Sequence, residues 1–401
     1  MAATSPSDVP RLGDRSLFPA LEPRVYLNHA GVSPPSEPVR RAAARAIDDW
    51  ASRGAEAGAA ALETRARLKQ GLARLLGAAP QDLALVQGTS AGIIAAAHCL
   101  PWRAGDRVIV FEGEFPANVT PWQRAADLFG LATAMLPLAP FERDPEEGLS
   151  LLERELTRGA RLVAVSAVQF QTGLRMPLRR MADLAHRHGA EIFVDAVQAL
   201  GVVPLDVGAL GIDYLAAGAH KWLMGLFGAG VLYAAPGPAA ALRPAVAGWL
   251  SHERAARFLT DGPGHLRYDR PIRRRADLVE AGSMSEVSMA ALDASVAILL
   301  SLGVEAILAH VGRYLDRLEP ELVSRGFRSL RAPEAERRSG ILGLRPPPGV
   351  EVTALRRALM GRGVACAIPD GVLRFAPHWP NAEEEVPQVV AAVEAALREL
   401  T

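Results

Sequence analysis

Seven short apolar runs recur along the middle of the chain with amphipathic stretches between them, and this alternation restricts the fold more than any other feature. The runs are Leu83–Val86, Arg107–Phe111, Ala132–Leu136, Leu162–Ser166, Glu191–Val194, Tyr214–Ala216 and Gly230–Tyr233. Several are apolar throughout, the pattern of strands covered on both faces. Pro177–His188 is typical of the helices that join them. Such alternation predicts an α/β layer on a mostly parallel, seven-stranded sheet. Upstream, residues 1–22 are polar and Pro-spotted and read as a flexible arm. Val25–Gly31 reads as a short strand ending in a turn, and Ser36–Leu76 as helix broken near Gly54 or Gly58. Downstream, residues 244–281 are irregular and Arg-rich, and Glu286–Val323 is helical. The remainder reads as a small α+β unit, with strands near Ile341–Leu344, Val364–Ala367 and Val372–Ala376 and helices near Val352–Met360 and from Ala382. The expected division is a large α/β domain over 23–285 and a small C-terminal domain over 286–401.

Charge excludes several function classes. Lys+Arg and Asp+Glu both number 44, so the net charge is zero. No basic stripe argues for nucleic acid, and no polybasic segment argues for a membrane surface. No run of about 18 apolar residues suggests a membrane span. The first residues lack the basic and apolar regions of a signal peptide. The two cysteines, Cys99 and Cys366, make no disulfide framework or metal motif, which fits a reducing, cytoplasmic setting.

Ligands of open α/β sheets sit beyond the carboxyl ends of the strands, so the residues after each run are the candidates. Gln87-Gly88-Thr89-Ser90 follows the first run and opens a helix. Its backbone N–H groups, two hydroxyls and helix dipole suit a phosphate, although the same turn serves as an ordinary N-cap. Phe115 follows the second run and could stack on a flat ring or rim the core. Asp195 ends the fifth run, with Gln198 close behind. An acid buried there needs a cationic partner, unless it acts as an N-cap. His220 and Lys221 follow the sixth run.

Lys221 stands out for a second reason. Only two of the 44 basic residues are lysines, Lys69 and Lys221. Arginine cannot shed its proton or form a Schiff base, whereas lysine does both when its pKa is lowered. Lys69 lies on a polar helical face and reads as a solvated charge. Phosphate cradle, stacking aromatic, buried carboxylate, amide and lysine, in that order, match the needs of pyridoxal phosphate (PLP).

The ordered set Asp195-Ala196-Val197-Gln198-Ala199-Leu200-Gly201 followed by His220-Lys221 resembles the class V aminotransferases of PLP fold type I. That family includes cysteine desulfurases, isopenicillin-N epimerase-like proteins and kynureninases. The resemblance runs from about Val25 to the last helix. It implies that Lys221 carries the Schiff base and then acts as acid/base at Cα. It implies that Asp195 partners the ring nitrogen and Gln198 the ring hydroxyl, with Thr89, Ser90 and His220 on the phosphate side. Glu280-Ala281-Gly282-Ser283 resembles a loop that reaches the neighbouring subunit's phosphate, which implies a homodimer with its active site at the interface. Arg374 resembles the arginine that grips the substrate carboxylate, a task suited to a bidentate guanidinium. Its alternative is a surface strand charge. Asn28 and His29 resemble the segment that lines the substrate pocket.

Two departures bear on the reaction. Desulfurases stack a histidine where this chain has Phe115, and carry a serine where it has Gly218. Cys366 lies near their persulfide cysteine but reads as a small core residue in a strand. The resemblance therefore implies a PLP enzyme that deprotonates the Cα of a small α-amino acid, with epimerase-like or aminotransferase chemistry favoured. A C–S or C–C lyase is the alternative, and a non-catalytic PLP-binding partner subunit is the alternative from another class.

Overall fold

A computed structural model describes residues 9–400. Strand β1 (Val25–Tyr26) precedes two long helices, Glu37–Arg53 and Gly58–Leu76. Gly54 separates them at a positive φ of 52°, which a residue with a Cβ rarely adopts. The main sheet then forms from β2 (Leu83–Val86), β3 (Arg107–Phe111), β4 (Ala132–Leu136), β5 (Leu162–Ser166), β6 (Glu191–Asp195), β7 (Tyr214–Gly218) and β8 (Gly230–Ala234). All seven expected runs are strands of this sheet. Its order is β2-β8-β7-β6-β5-β3-β4, and only β8 runs against its neighbours.

Alternate residues of each inner strand enter two different cores. Ile109, Val163, Val165, Ile192, Val194 and Leu215 pack on one face of the sheet. Val108, Val110, Leu162, Ala164, Phe193 and Tyr214 pack on the other. Both faces are therefore dry, which is why these strands are apolar throughout rather than alternating. The edge strand β4 is the exception: Ala132, Thr133 and Met135 are exposed.

The small unit carries β9 (Arg328–Ser329), β10 (Leu342–Arg345), β11 (Val364–Ala365) and β12 (Leu373–Phe375). β12, β10 and β9 form an antiparallel sheet, while β11 pairs in parallel with β1. The helical stretch after Glu286 is two helices, Glu286–Leu302 and Val304–Val323, parted at Gly303 with φ 79°. Among the described residues no single helix is long and apolar enough to cross a membrane.

The start of the chain differs from the sequence expectation. Residues 1–8 of the expected flexible arm lie outside the described residues, but residues 9–22 are docked. Leu17 and Phe18 are buried, and the Phe18 ring packs at 5.4 Å on Trp379. The Gly13 N–H donates to the Trp379 carbonyl at 2.7 Å. This short stretch gains order from apolar contacts with a residue near the other end of the chain.

Candidate active site

The parallel strands end on one edge of the sheet, and the turns there converge. Adjacent strands place Ser166 opposite Asp195, and Asp195 opposite Ala216. β7 runs on into the turn that carries His220 and Lys221. Several hydrogen bonds hold this turn, among them three to consecutive carbonyls. The Ser33 N–H donates to the His220 carbonyl at 2.8 Å, Met224 N–H to the Lys221 carbonyl at 2.9 Å, and His378 Nε2 pairs with the Trp222 carbonyl at 2.9 Å. Gly201, last residue of the Asp195 motif, must be glycine. A Cβ there would lie 2.3 Å from the Trp222 carbonyl oxygen, and its φ is 108°.

The Lys221 amine lies 5.3 Å from the centre of the Phe115 ring. Burial lowers its pKa to about 8; Asp195 opposes the shift and Arg374 adds to it. Asp195 is 2% exposed, and burial pushes its carboxyl up to about 6 against the opposing pull of the Val197 N–H and Lys221. Among the described residues its one hydrogen bond is Oδ1 accepting from the Val197 N–H at 2.9 Å. The second oxygen could accept from a protonated ring nitrogen. Gln198 is clamped: its amide donates to the Ala30 carbonyl at 3.0 Å and its carbonyl accepts from the Trp222 indole at 2.8 Å. One amide hydrogen remains.

The turn after β2 has the makings of an anion site. Thr89 opens the helix Thr89–Cys99 and is 7% exposed, yet its Oγ1 has no hydrogen-bond partner. Across from it stands Gly218, where a Cβ would lie 3.0 Å from that hydroxyl and 3.3 Å from the His220 Nδ1. A buried hydroxyl without a partner, a free helix N-terminus and a glycine gap form a cradle that a phosphate fits. His220 stacks on Phe227 with ring centres 4.6 Å apart. Burial and the Lys221 charge push its pKa down to about 4, so it meets the cradle as a neutral ring. Ser90 is exposed beside Thr89.

Arg374 sits in β12, 5% exposed, with no carboxylate within ion-pair distance among the described residues. Its Nη1 donates to the Phe170 carbonyl at 2.7 Å, and its Nε has no partner. Burial lowers its pKa to about 10. A cation held dry and half-bonded is costly unless an anion arrives. Asn28 bridges to Ala376 beside Arg374, and its buried Oδ1 also lacks a partner. His29 turns elsewhere: it is 1% exposed, bonded to Ser33 at 2.8 Å and edge-on to His378 at 5.4 Å. Ser283 is exposed on its loop.

The structure corrects the reading of Lys69, which is no solvated charge. It pairs with Glu280 at 2.5 Å, and the two side chains are 19% and 16% exposed. Glu280 also accepts the Leu85 N–H at 2.8 Å, so the loop leading to Ser283 is pinned to β2. Cys366 is 1% exposed with its thiol pushed up to about 12 by burial, as a core residue should be. Sequence reasoning missed Glu114, which is buried beside Asp195.

The lowered pKa of Lys221 sets a testable pH dependence. Only the neutral amine attacks an aldehyde. The rate at which the apoprotein takes up PLP should rise with pH and level off above about 8. An ordinary lysine would level off about two units higher. Stopped-flow absorbance against pH reads the midpoint.

Comparison with known proteins gives this geometry a family. The aminotransferase class-V family model matches residues 25–369. An uncharacterized aminotransferase, YcbU, of Bacillus subtilis is 27% identical over 95% of this chain and 96% of its own length. The isopenicillin N epimerase of Streptomyces clavuligerus is 29% identical over 82% of this chain and 83% of its own. The crystal structure of the cysteine desulfurase CsdA from Escherichia coli superposes with a TM-score of 0.83, at 25% identity, over 96% of this chain and 98% of that one. The chain belongs to the aminotransferase class-V family, folds as its fold type I members do, and uses PLP as its cofactor.

Proposed function

We propose that this enzyme works at the Cα of a small α-amino acid, with epimerase-like or aminotransferase outcome. The observation that carries the proposal is Arg374: an unpaired, buried guanidinium facing the Lys221 site calls for a carboxylate. PLP, when bound, makes the Cα–H bond acidic by drawing its electron pair into the ring. The residues do the rest. Thr89 and the helix end behind it hold the phosphate, with His220 alongside. Asp195 keeps a proton on the ring nitrogen, Gln198 offers its free amide hydrogen to the ring hydroxyl, and the Phe115 ring covers one face. Arg374 fixes the carboxylate and so orients the Cα–H bond. Lys221, with its pKa lowered to about 8, can take that proton and return it.

Sulfur transfer has little support in these residues. Cys99 and Cys366, the only cysteines, are both buried. A lyase that eliminates from the side chain without a cysteine remains the alternative reading. We also propose a homodimer. Ser283 is exposed, and Phe227 (63% exposed) and Trp249 (45%) stand uncovered on loops that flank the site. Light scattering should give twice the chain mass.

An amino-acid panel in D2O tests the reaction. Deuterium should enter Cα of the substrate; inversion with the amine kept marks an epimerase, and a keto acid marks transamination. Ammonia with an unsaturated or cleaved product would select the lyase. A protein that holds PLP but exchanges no Cα proton with any amino acid would overturn the catalytic reading in favour of a non-catalytic subunit.

A further inference from the structure

Glu114 is a buried acid that the roles above leave unused. It is 8% exposed, and no Lys, Arg or His pairs with it among the described residues. Three donors converge on its carboxyl instead. The Ser166 N–H reaches it at 2.6 Å, the Gln169 amide at 3.3 Å, and the Ser166 hydroxyl more closely still. Ser166 ends β5 directly opposite Asp195, so its bonds bring the Glu114 carboxyl, carried on the loop after β3, to the strand beside that acid. The next residue along the chain is Phe115. That ring is 45% exposed, and its aromatic neighbour is Phe170, edge-on at 5.5 Å. What fixes the direction of Phe115 is therefore largely its backbone, and the Glu114 carboxyl ties that backbone to the end of β5.

We propose that Glu114 is a positioning residue for the reaction at Lys221: it holds the Phe115 ring against the plane of the cofactor and places a second ionisable acid beside Asp195. The inference rests on the PLP reading of the site. The groups that face Glu114 are Asp195, with Lys221 and then Arg374 beyond it, and the neutral Ser166, Gln169, Phe115 and Phe170. Burial and the Asp195 charge raise the Glu114 pKa to about 7, while the bonds from Ser166 and Gln169 hold it down. The sign follows. As pH rises through about 7 the Glu114 carboxyl loses its proton, and the new negative charge favours protonated forms of whatever lies on Asp195.

The test uses the PLP-loaded enzyme and two variants. Glu114→Gln keeps the shape and the bonds: its carbonyl accepts the Ser166 N–H and its amide donates to the Ser166 hydroxyl. It should bind PLP normally, but the pH midpoint of the bound cofactor's absorption should fall by about one unit. A purely structural role would not move that midpoint. Glu114→Ala frees the turn; its PLP affinity should fall about tenfold, as expected when a buried set of hydrogen bonds is lost, and the visible circular dichroism of the bound cofactor should change. Titrations and dichroism like those of the wild type in both variants, with the reduced adduct still on Lys221, would overturn the inference. Failure of the wild type to take up PLP would instead overturn the reading of the site.

Discussion

Lys221→Ala is expected to lower kcat by about 10^4-fold or more, because it removes the covalent anchor and the acid/base group together. The fold should survive. The Lys221 side chain packs a nearly buried charge whose nearest opposite charge, Asp195, makes no direct ion pair with it, so its loss removes a desolvation cost. PLP should still bind through the Thr89 turn and Asp195, but borohydride should no longer fix it. Lys221→Arg should be as inactive as the alanine variant, since a guanidinium keeps its proton. Rapid-quench assays and equilibrium dialysis separate the two effects. A variant with wild-type turnover would remove Lys221 from the chemistry.

Arg374→Ala should act on substrate binding. A buried guanidinium that lacks a carboxylate partner is the group a substrate carboxylate would complete. Truncating one side of such a pair costs about 2–5 kcal/mol, and even 3 kcal/mol is roughly a hundredfold in affinity. KM should therefore rise by about 10^2-fold or more, with a smaller fall in kcat from the poorer orientation of Cα. Arg374→Lys should recover little, because the fork geometry is lost. Stability should move the other way. Removing an unpaired, 5% exposed charge should leave the melting temperature unchanged or raise it, the usual exchange between stability and function. A large loss of stability with an unchanged KM would return Arg374 to a structural role.

How much of this was legible depended on whether local sequence fixed the environment. The two-sided apolar runs announced the sheet, because burial on both faces leaves no room for alternation. The same runs placed Asp195 at a strand end and Phe115 and Lys221 a few residues beyond one, so these three candidates could be read from the alternation, whereas Asn28, His29, Ser283 and Arg374 came from the family resemblance. Glu114 could not. It stands in Glu112-Gly113-Glu114, a polar turn by composition, and only Ser166 on another strand makes it a buried acid. Lys69 looked solvated because its partner, Glu280, comes from a distant loop. His29 was expected to line the pocket, but its ring direction is set by Ser33 and His378. Gly218 was visible as a departure from the desulfurase pattern, yet the cradle it leaves open beside Thr89 needed the meeting of two strand ends. Contacts across the fold, rather than residue type, decided each of these.

The central claim is that PLP is held on Lys221. Borohydride reduction of the yellow protein, followed by mass spectrometry of its peptides, tests it most directly. The account predicts a bleached visible band and a pyridoxyl mass on Lys221 alone. A protein that takes up no PLP, or an adduct on Lys69, would contradict it.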